Sequence, residues 1–306
     1  MTQPILVTGG SGQLATALAA LGGDRVHLAG RPAFDFDRPE TIAASVRAAA
    51  PSIVVNAAAY TAVDAAETDE AAALRANRDG PAELARFCAE AGIPLIHIST
   101  DYVYDGDKPS PYVETDAVAP RGVYGASKLA GETAVLASGA RVIILRTAWV
   151  YAATGQNFVR TMLRLAETRD TLRVVSDQHG CPTAAADLAA AILAIVARIE
   201  TKGWNDAYRG VFHAAGAGET TWHGLAVAVF QEAARRGEKV PLNVTPITTA
   251  EYPTPARRPA NSRLDCGAAG HGLRYPAAAL ARQSRPHDRR NSCVPESPTF
   301  AVTGPS

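Results

Sequence analysis

Along the first half of the chain, short and continuous apolar runs alternate with Ala-rich stretches of helical period. PILVTGG reads as a strand running into glycines, and SGQLATALAALGG as a helix closed by Gly22 and Gly23. RVHLAG is a second strand, ETIAASVRAAAP a helix, and SIVVNAAAY a third strand. EAAALRANRDGPAELARFCAEAG carries two helical segments; IPLIHIST is a strand, RGVYGASKLAGETAVLASG a helix and RVIILRTAWV a strand. Strands that are apolar at every position are covered on both faces, so this alternation predicts an α/β fold built on a doubly wound parallel sheet with right-handed crossovers.

The pattern loosens after Trp149. QNFVRTMLRLAETRD is an Arg-rich helix, and ADLAAAILAIVARIE is a helix apolar on most faces. Between Lys202 and Cys266 the elements are short and rich in Gly, Pro and Thr. The division expected is a dinucleotide-binding domain over 1–150, a smaller C-terminal substrate-binding lobe over 151–265 with the helix near 185–200 packing back on the sheet, and a divergent tail over 266–306. That tail has Pro, Ser and Arg clusters and little periodicity after Arg282, so it is expected to pack poorly.

Composition narrows the partners. Thirty basic residues balance thirty acidic ones among 306, which gives no global electrostatic case for nucleic acid or an anionic membrane. The first residues, MTQPILVTGGSG, lack a basic region and a long apolar run, and even AAAILAIVARIE breaks at Arg198. Cys88, Cys181, Cys266 and Cys293 lie far apart with no CxxC pair, so the expectation is neither a disulfide framework nor a zinc site, and a cytoplasmic home.

The candidate chemistry starts at TGGSGQLA (Thr8–Ala15), where the first strand meets the first helix. Gly9 permits a tight turn, Gly12 lets backbone N–H groups approach a pyrophosphate, and the helix N-terminus offers a positive dipole end. A glycine pattern gains weight at this junction and would be weak elsewhere. The second strand ends at Arg31 with no carboxylate, which leans toward NADPH over NADH, although Arg31 also reads as a solvated loop residue. Asp35 and Phe36 follow within reach of an adenine, with Phe36 equally readable as core. In VYGASKLAGE, Tyr124 and Lys128 stand one helical turn apart on one face. Reducing a ketone needs a proton for its oxygen, and an ammonium beside a phenol favours the phenolate and brings its pKa toward working range. Ser99 and Thr100 close IPLIHIST at the carboxyl end of a strand, where open parallel sheets bind ligands; either hydroxyl suits a substrate carbonyl or a plain helix cap.

Taken together these residues resemble the extended short-chain dehydrogenase/reductase superfamily with its Rossmann-type sheet, and within it the dTDP-4-dehydrorhamnose reductase family. The resemblance runs from about Ile5 to Asp265 through VNAAAYTAVDAAE, STDYVYDG, VYGASKLAGE, RTAWVYA, NFVRTMLRLA, DQHGCPT and YPTPARRPANSRL. It implies reduction of the C4 ketone of dTDP-4-dehydro-L-rhamnose by NADPH, with NADH as an alternative, to give dTDP-L-rhamnose for cell-surface polysaccharide such as O-antigen. It also implies site residues. Gly12, Gln13 and Leu14 would lie on the cofactor diphosphate, Asp35 and Phe36 flank its adenosine, and Ala59, Tyr60 and Thr61 line its cleft. Tyr124 would be the proton donor, Lys128 its partner on the nicotinamide ribose, and Thr100, Asp101 and Trp149 contacts for the nucleotide sugar. The arginines of PARRPANSR would suit its diphosphate. Related dehydratases place an acidic pair where this chain has Asp101 and Tyr102, so reduction fits better than dehydration. Some relatives bridge a dimer through acidic residues holding Mg²⁺; two such positions read Ala17 and Ala186 here, which speaks against that metal and leaves a homodimer open. The family also ends in an apolar helix after SRLD, whereas the tail from Cys266 reads as an altered or out-of-frame ending.

Two alternatives stand beside the reductase: another nucleotide-sugar epimerase or reductase, and a non-catalytic regulatory subunit of the same fold. The intact Tyr124–Lys128 pair favours the enzyme. Other residues read as mundane: His97 as a satisfied interior histidine, His179 without a second ligand at metal spacing, Cys181 without an activating base, and Arg235–Arg236 as a solvated helix end.

Overall fold

A computed structural model describes residues 3–267. The expectations for the tail beyond residue 267 lie outside the described residues. Six parallel strands form the central sheet: β1 (Ile5–Thr8), β2 (Val26–Ala29), β3 (Ile53–Asn56), β4 (Leu95–Thr100), β5 (Val142–Thr147) and, from far later in the chain, β10 (Gly210–His213). Their spatial order is β10-β5-β4-β3-β1-β2, every neighbouring pair parallel. The order reverses at β1 and β3, whose Thr8 and Asn56 lie side by side. Chains leave that point in opposite directions and open a crevice at the carboxyl ends of the strands.

Alternate positions of each strand feed two cores. Ile5, Val7, Ile53, Val55, Ile96, Ile143 and Leu145 face one way, toward α1 (Gln13–Gly22) and α8 (Ala185–Lys202). Leu6, Val54, Leu95, Val142 and Ile144 face the other, toward α2 (Pro39–Ala49), α5 (Gly80–Ala91) and α6 (Val123–Ala137). Each such side chain contributes about 1.5–3 kcal/mol by leaving water. Between β3 and α5 lie α3 (Val63–Ala66) and α4 (Glu70–Leu74). The two helical segments expected in EAAALRANRDGPAELARFCAEAG are joined through a π-type turn at Arg75–Asp79. Such turns often mark functional positions.

The smaller lobe holds α7 (Phe158–Ala166) and α9 (Trp222–Arg235), packed through Met162, Leu172, Val174, Leu225, Val229 and Phe230. Its strands are short: β6 (Val150–Tyr151) pairs with β9 (Thr183–Ala184), β7 (Thr171–Val175) with β12 (Asn243–Ile247), and β8 (His179–Gly180) with β11 (Thr220–Thr221) and β13 (Asn261–Ser262). Two pieces of the 151–265 range sit on the large sheet instead. One is α8, as its apolar faces imply; the other is β10, which GVFH is too short to announce by period.

Candidate active site

At the crevice, Gly9 turns with φ 103°, and a Cβ there would lie 3.0 Å from the Ala57 backbone. The glycine is what lets the β1 turn press against the chain leaving β3. Helix α1 then begins at Gly12 with no side chain bonded to its first amides. A side-chain-free turn and a helix dipole make a cradle of the kind a dinucleotide diphosphate needs, while the Gly10 and Gly12 amides brace the turn by donating to Ala29 O and Gly9 O. Gln13 and Leu14 open this helix, and Asn157, the cap of α7, donates from Nδ2 to Gln13 Oε1 at 2.8 Å. Ala59, Tyr60 and Thr61 lie in the chain that leaves β3 at its carboxyl end. That segment is held by Asn77 in the π-type turn, which accepts from Tyr60 N at 2.9 Å and donates to Tyr60 O at 3.1 Å and to Ser127 Oγ at 3.0 Å.

At the β2 end, Arg31 is exposed but engaged. Its Nε donates to Asp35 at 3.0 Å and its Nη2 to Asp37 at 2.7 Å, while Arg75 donates to Asp37 at 3.1 Å. Phe36 rests edge-on against Phe34 at 5.2 Å, and its ring fills the space where a side chain at Gly80 would stand. Phe36 therefore packs on the second core.

Helix α6 carries the Tyr-Lys pair. Its N-terminus is fixed from outside: Glu67 Oε1 accepts from Val123 N at 2.9 Å. At Gly125 a Cβ would fall 2.2 Å from Tyr102 O, so only glycine allows the helix to abut the loop after β4. The Tyr124 ring meets Tyr102 edge-on at 5.4 Å. Burial pushes its phenol up, with the neighbouring Asp101 and Tyr102 adding to the rise and the Thr100 hydroxyl beside it partly offsetting it. Lys128 is buried, and its Nζ donates to Ile98 O at 2.7 Å; burial pulls it down to about 8, opposed by Glu132. Lys128 is not among the groups that shift Tyr124 here, where burial is the largest influence on the phenol. The ammonium is spent on a strand carbonyl, and desolvation governs the phenol.

Toward the small lobe, Thr100 Oγ1 donates to Asp101 Oδ1 at 3.1 Å and accepts from Tyr102 N at 3.2 Å. Asp101 is buried and raised to about 6 by that burial. The Ser262 hydroxyl favours its ionised form, yet neither Asp101 Oδ2 nor Ser262 Oγ reaches hydrogen-bond geometry with a partner among the described residues. Trp149 adopts a left-handed backbone (φ 49°) and stacks on Trp222 at 3.5 Å and 8°. A non-glycine residue in that region costs on the order of 1–3 kcal/mol. The stack, together with Gly180 lying flat against the Trp149 ring, over-determines the position.

Some functional neighbours had no sequence signal of their own. Asn77 lies in RANRDG and looks like a loop residue. Glu67 and Asp64 look like solvated helix acids; Arg258 belongs to the PARRPANSR arginines that the resemblance assigns to a diphosphate, and its pairing with Asp64 is what the sequence did not announce. His97 is buried and only half satisfied: Asn56 Nδ2 donates to its Nδ1 at 2.9 Å, while Nε2 has no partner among the described residues. Burial and the nearby Lys128 hold it well below the ordinary histidine range, so it is neutral. Burial raises the Cys181 thiol, Arg235 and Arg236 pair with Glu232, and no cluster of three metal-ligating side chains occurs among the described residues.

Comparison with known proteins agrees with this geometry. The family model described as the RmlD substrate binding domain matches residues 2–279. A dTDP-4-dehydrorhamnose reductase of Sinorhizobium fredii is 50% identical over 86% of this chain and 88% of its own. One from Burkholderia thailandensis is 49% identical over 85% and 89%. The crystal structure of a dTDP-4-dehydrorhamnose reductase from Bacillus anthracis in complex with NADP superposes with a TM-score of 0.78 at 32% identity, covering 87% of this chain and 91% of that one.

Proposed function

The chain belongs to the dTDP-4-dehydrorhamnose reductase family, and from that membership we propose how its residues carry out the reaction. The protein is an NADPH-dependent oxidoreductase that reduces the C4 ketone of dTDP-4-dehydro-L-rhamnose to dTDP-L-rhamnose. When bound, the nicotinamide cofactor supplies the hydride. The chain supplies everything else. The Gly9–Gly12 turn and the first residues of α1, Gln13 and Leu14, hold the diphosphate at the positive end of the helix. Ala59, Tyr60 and Thr61 form the opposite wall, braced by Asn77. Arg31, drawn from Asp35 and Asp37, takes the 2′-phosphate beside Asp35 and Phe36.

Tyr124 gives its proton to the C4 oxygen, and Thr100 beside it hydrogen-bonds the same oxygen. A phenol raised by burial is a firm proton holder until charge develops on that oxygen; transfer then passes the negative charge to the Tyr124 oxygen, which takes a proton back from water before the next turnover. Lys128, weakened as an ammonium by its burial, borders the ribose side. Asp101 and Trp149 orient the sugar. The observation that carries this reading is the juxtaposition of Tyr124 and Thr100 at the carboxyl end of β4, next to the glycine cradle.

No helix among the described residues is long and apolar enough to cross a membrane. Buried free thiols at Cys88 and Cys181 suit a reducing cytoplasm, where a nucleotide sugar destined for surface polysaccharide is made. A homodimer is the assembly that sedimentation would test. The decisive assay follows cofactor absorbance with dTDP-4-dehydro-L-rhamnose. One NADPH should be consumed per ketone, and faster than NADH. A cofactor that copurifies and is never consumed would mark an epimerase, and no consumption with either cofactor would overturn the reductase.

A further inference from the structure

Two segments 194 residues apart meet beside the catalytic helix. Asp64, on the short helix α3, accepts from Arg258 Nη2 at 2.6 Å through Oδ2 and from Ala256 N at 3.2 Å through Oδ1. One carboxylate thereby holds both the backbone and the guanidinium of the strap that closes the small lobe. Three residues on, Glu67 holds the first amide of α6. The same turn of chain therefore pins the strap with one acid and the catalytic helix with the other. Burial pushes the Tyr102 phenol up, Asp101 adds to the rise and the Arg258 guanidinium beside it partly offsets it; the Tyr102 ring edge meets Tyr124 at 5.4 Å. Arg258 Nη1 is buried with no hydrogen-bond partner among the described residues, so the guanidinium's link to Asp64 runs through Nη2.

Resting on the reductase reading above, we propose that Asp64 and Arg258 form a clasp that positions Tyr102 against Tyr124, so that the seating of the small-lobe strap sets the aim of the proton donor. Neither residue touches the reacting atoms; both are positioning residues. The pair sits at the rim, with Arg258 the better covered partner, so its value lies in geometry more than in stability. A displacement of the donor by about 1 Å costs up to a hundredfold in rate.

Steady-state kinetics of Asp64→Asn, Arg258→Met and the double variant test this. Each single variant should lower kcat by about ten- to a hundredfold. The NADPH Kd, read by fluorescence titration of the enzyme alone, should stay within about twofold, and the double variant should be no worse than either single one because the two residues act as one unit. Hydrogen exchange supplies a readout that needs no substrate: Asp64→Asn should raise exchange at Ala256 and in the first turn of α6. Unchanged kcat in both single variants, additive losses, or kcat and NADPH affinity falling together would overturn the clasp. Should Asp64→Asn fail to fold, Arg258→Met reads the same pair from the strap. If wild type consumes no cofactor, the reductase reading fails by itself, while the exchange experiment still decides whether Asp64 links strap and helix.

Discussion

At the scale of single residues, desolvation decides the chemistry. Tyr124 is buried beside a hydroxyl, and that burial holds its phenol above the ordinary range. Tyr124→Phe should cut kcat by about two to four powers of ten while leaving NADPH affinity within about twofold, as titration of cofactor fluorescence would show. Asp101 follows the same rule at lower pH. Its folded pKa of about 6 exceeds the ordinary carboxylate value, so the folded state binds the extra proton between about pH 4 and 6. The stabilising effect of that proton is present at low pH and lost as pH rises through 6, a difference of about 3 kcal/mol. Asp101→Asn should therefore unfold at higher urea than wild type at pH 7, and the gap should close as pH falls toward 4. A gap that does not change with pH would assign the effect to packing.

At the scale of elements, the strands and helices of the large domain were legible because each repeats one simple rule: apolar throughout for a doubly covered strand, apolar on one side for a helix. The glycine cradle was legible for the same reason, since Gly9 and Gly12 stand where strand gives way to helix. Elements joined by long-range pairing were not. GVFH becomes β10 only because β5 offers it an edge, and VY and TA become strands only by finding each other. The site followed the same division. Tyr124, Lys128 and Thr100 stand out by spacing and place, whereas Asn77, Asp64 and Arg258 acquire roles only through partners far along the chain. Asn77 gives the sharpest test. Its side chain joins the cofactor wall to α6 by three hydrogen bonds, so Asn77→Ala should cost about 2–3 kcal/mol in urea unfolding. It should also raise the KM for NADPH more than that for the sugar nucleotide.

At the scale of the whole molecule, a buried polar chain ties the sheet to the end of the small lobe. Glu132 receives Arg146 through two nitrogens at 2.9 and 2.6 Å, and Arg146 Nη1 donates to the Tyr104 hydroxyl at 2.7 Å. That hydroxyl meets His213 Nε2 at 2.7 Å, and His213 Nδ1 meets Asp265 O at 2.9 Å. Because the ion pair is almost wholly covered, removing one partner strands the other. Glu132→Ala should lower stability by about 3–5 kcal/mol in equilibrium unfolding, and a loss below about 1 kcal/mol would mean that water reaches Arg146. The Trp149–Trp222 stack has an optical consequence at this scale. Two indoles held nearly parallel at 3.5 Å couple their electronic transitions, so the native enzyme should carry an exciton couplet in circular dichroism that Trp222→Phe abolishes. Any sugar nucleotide that slides along the Trp149 face would then announce its arrival as a change in the sign or amplitude of that signal, with no turnover required.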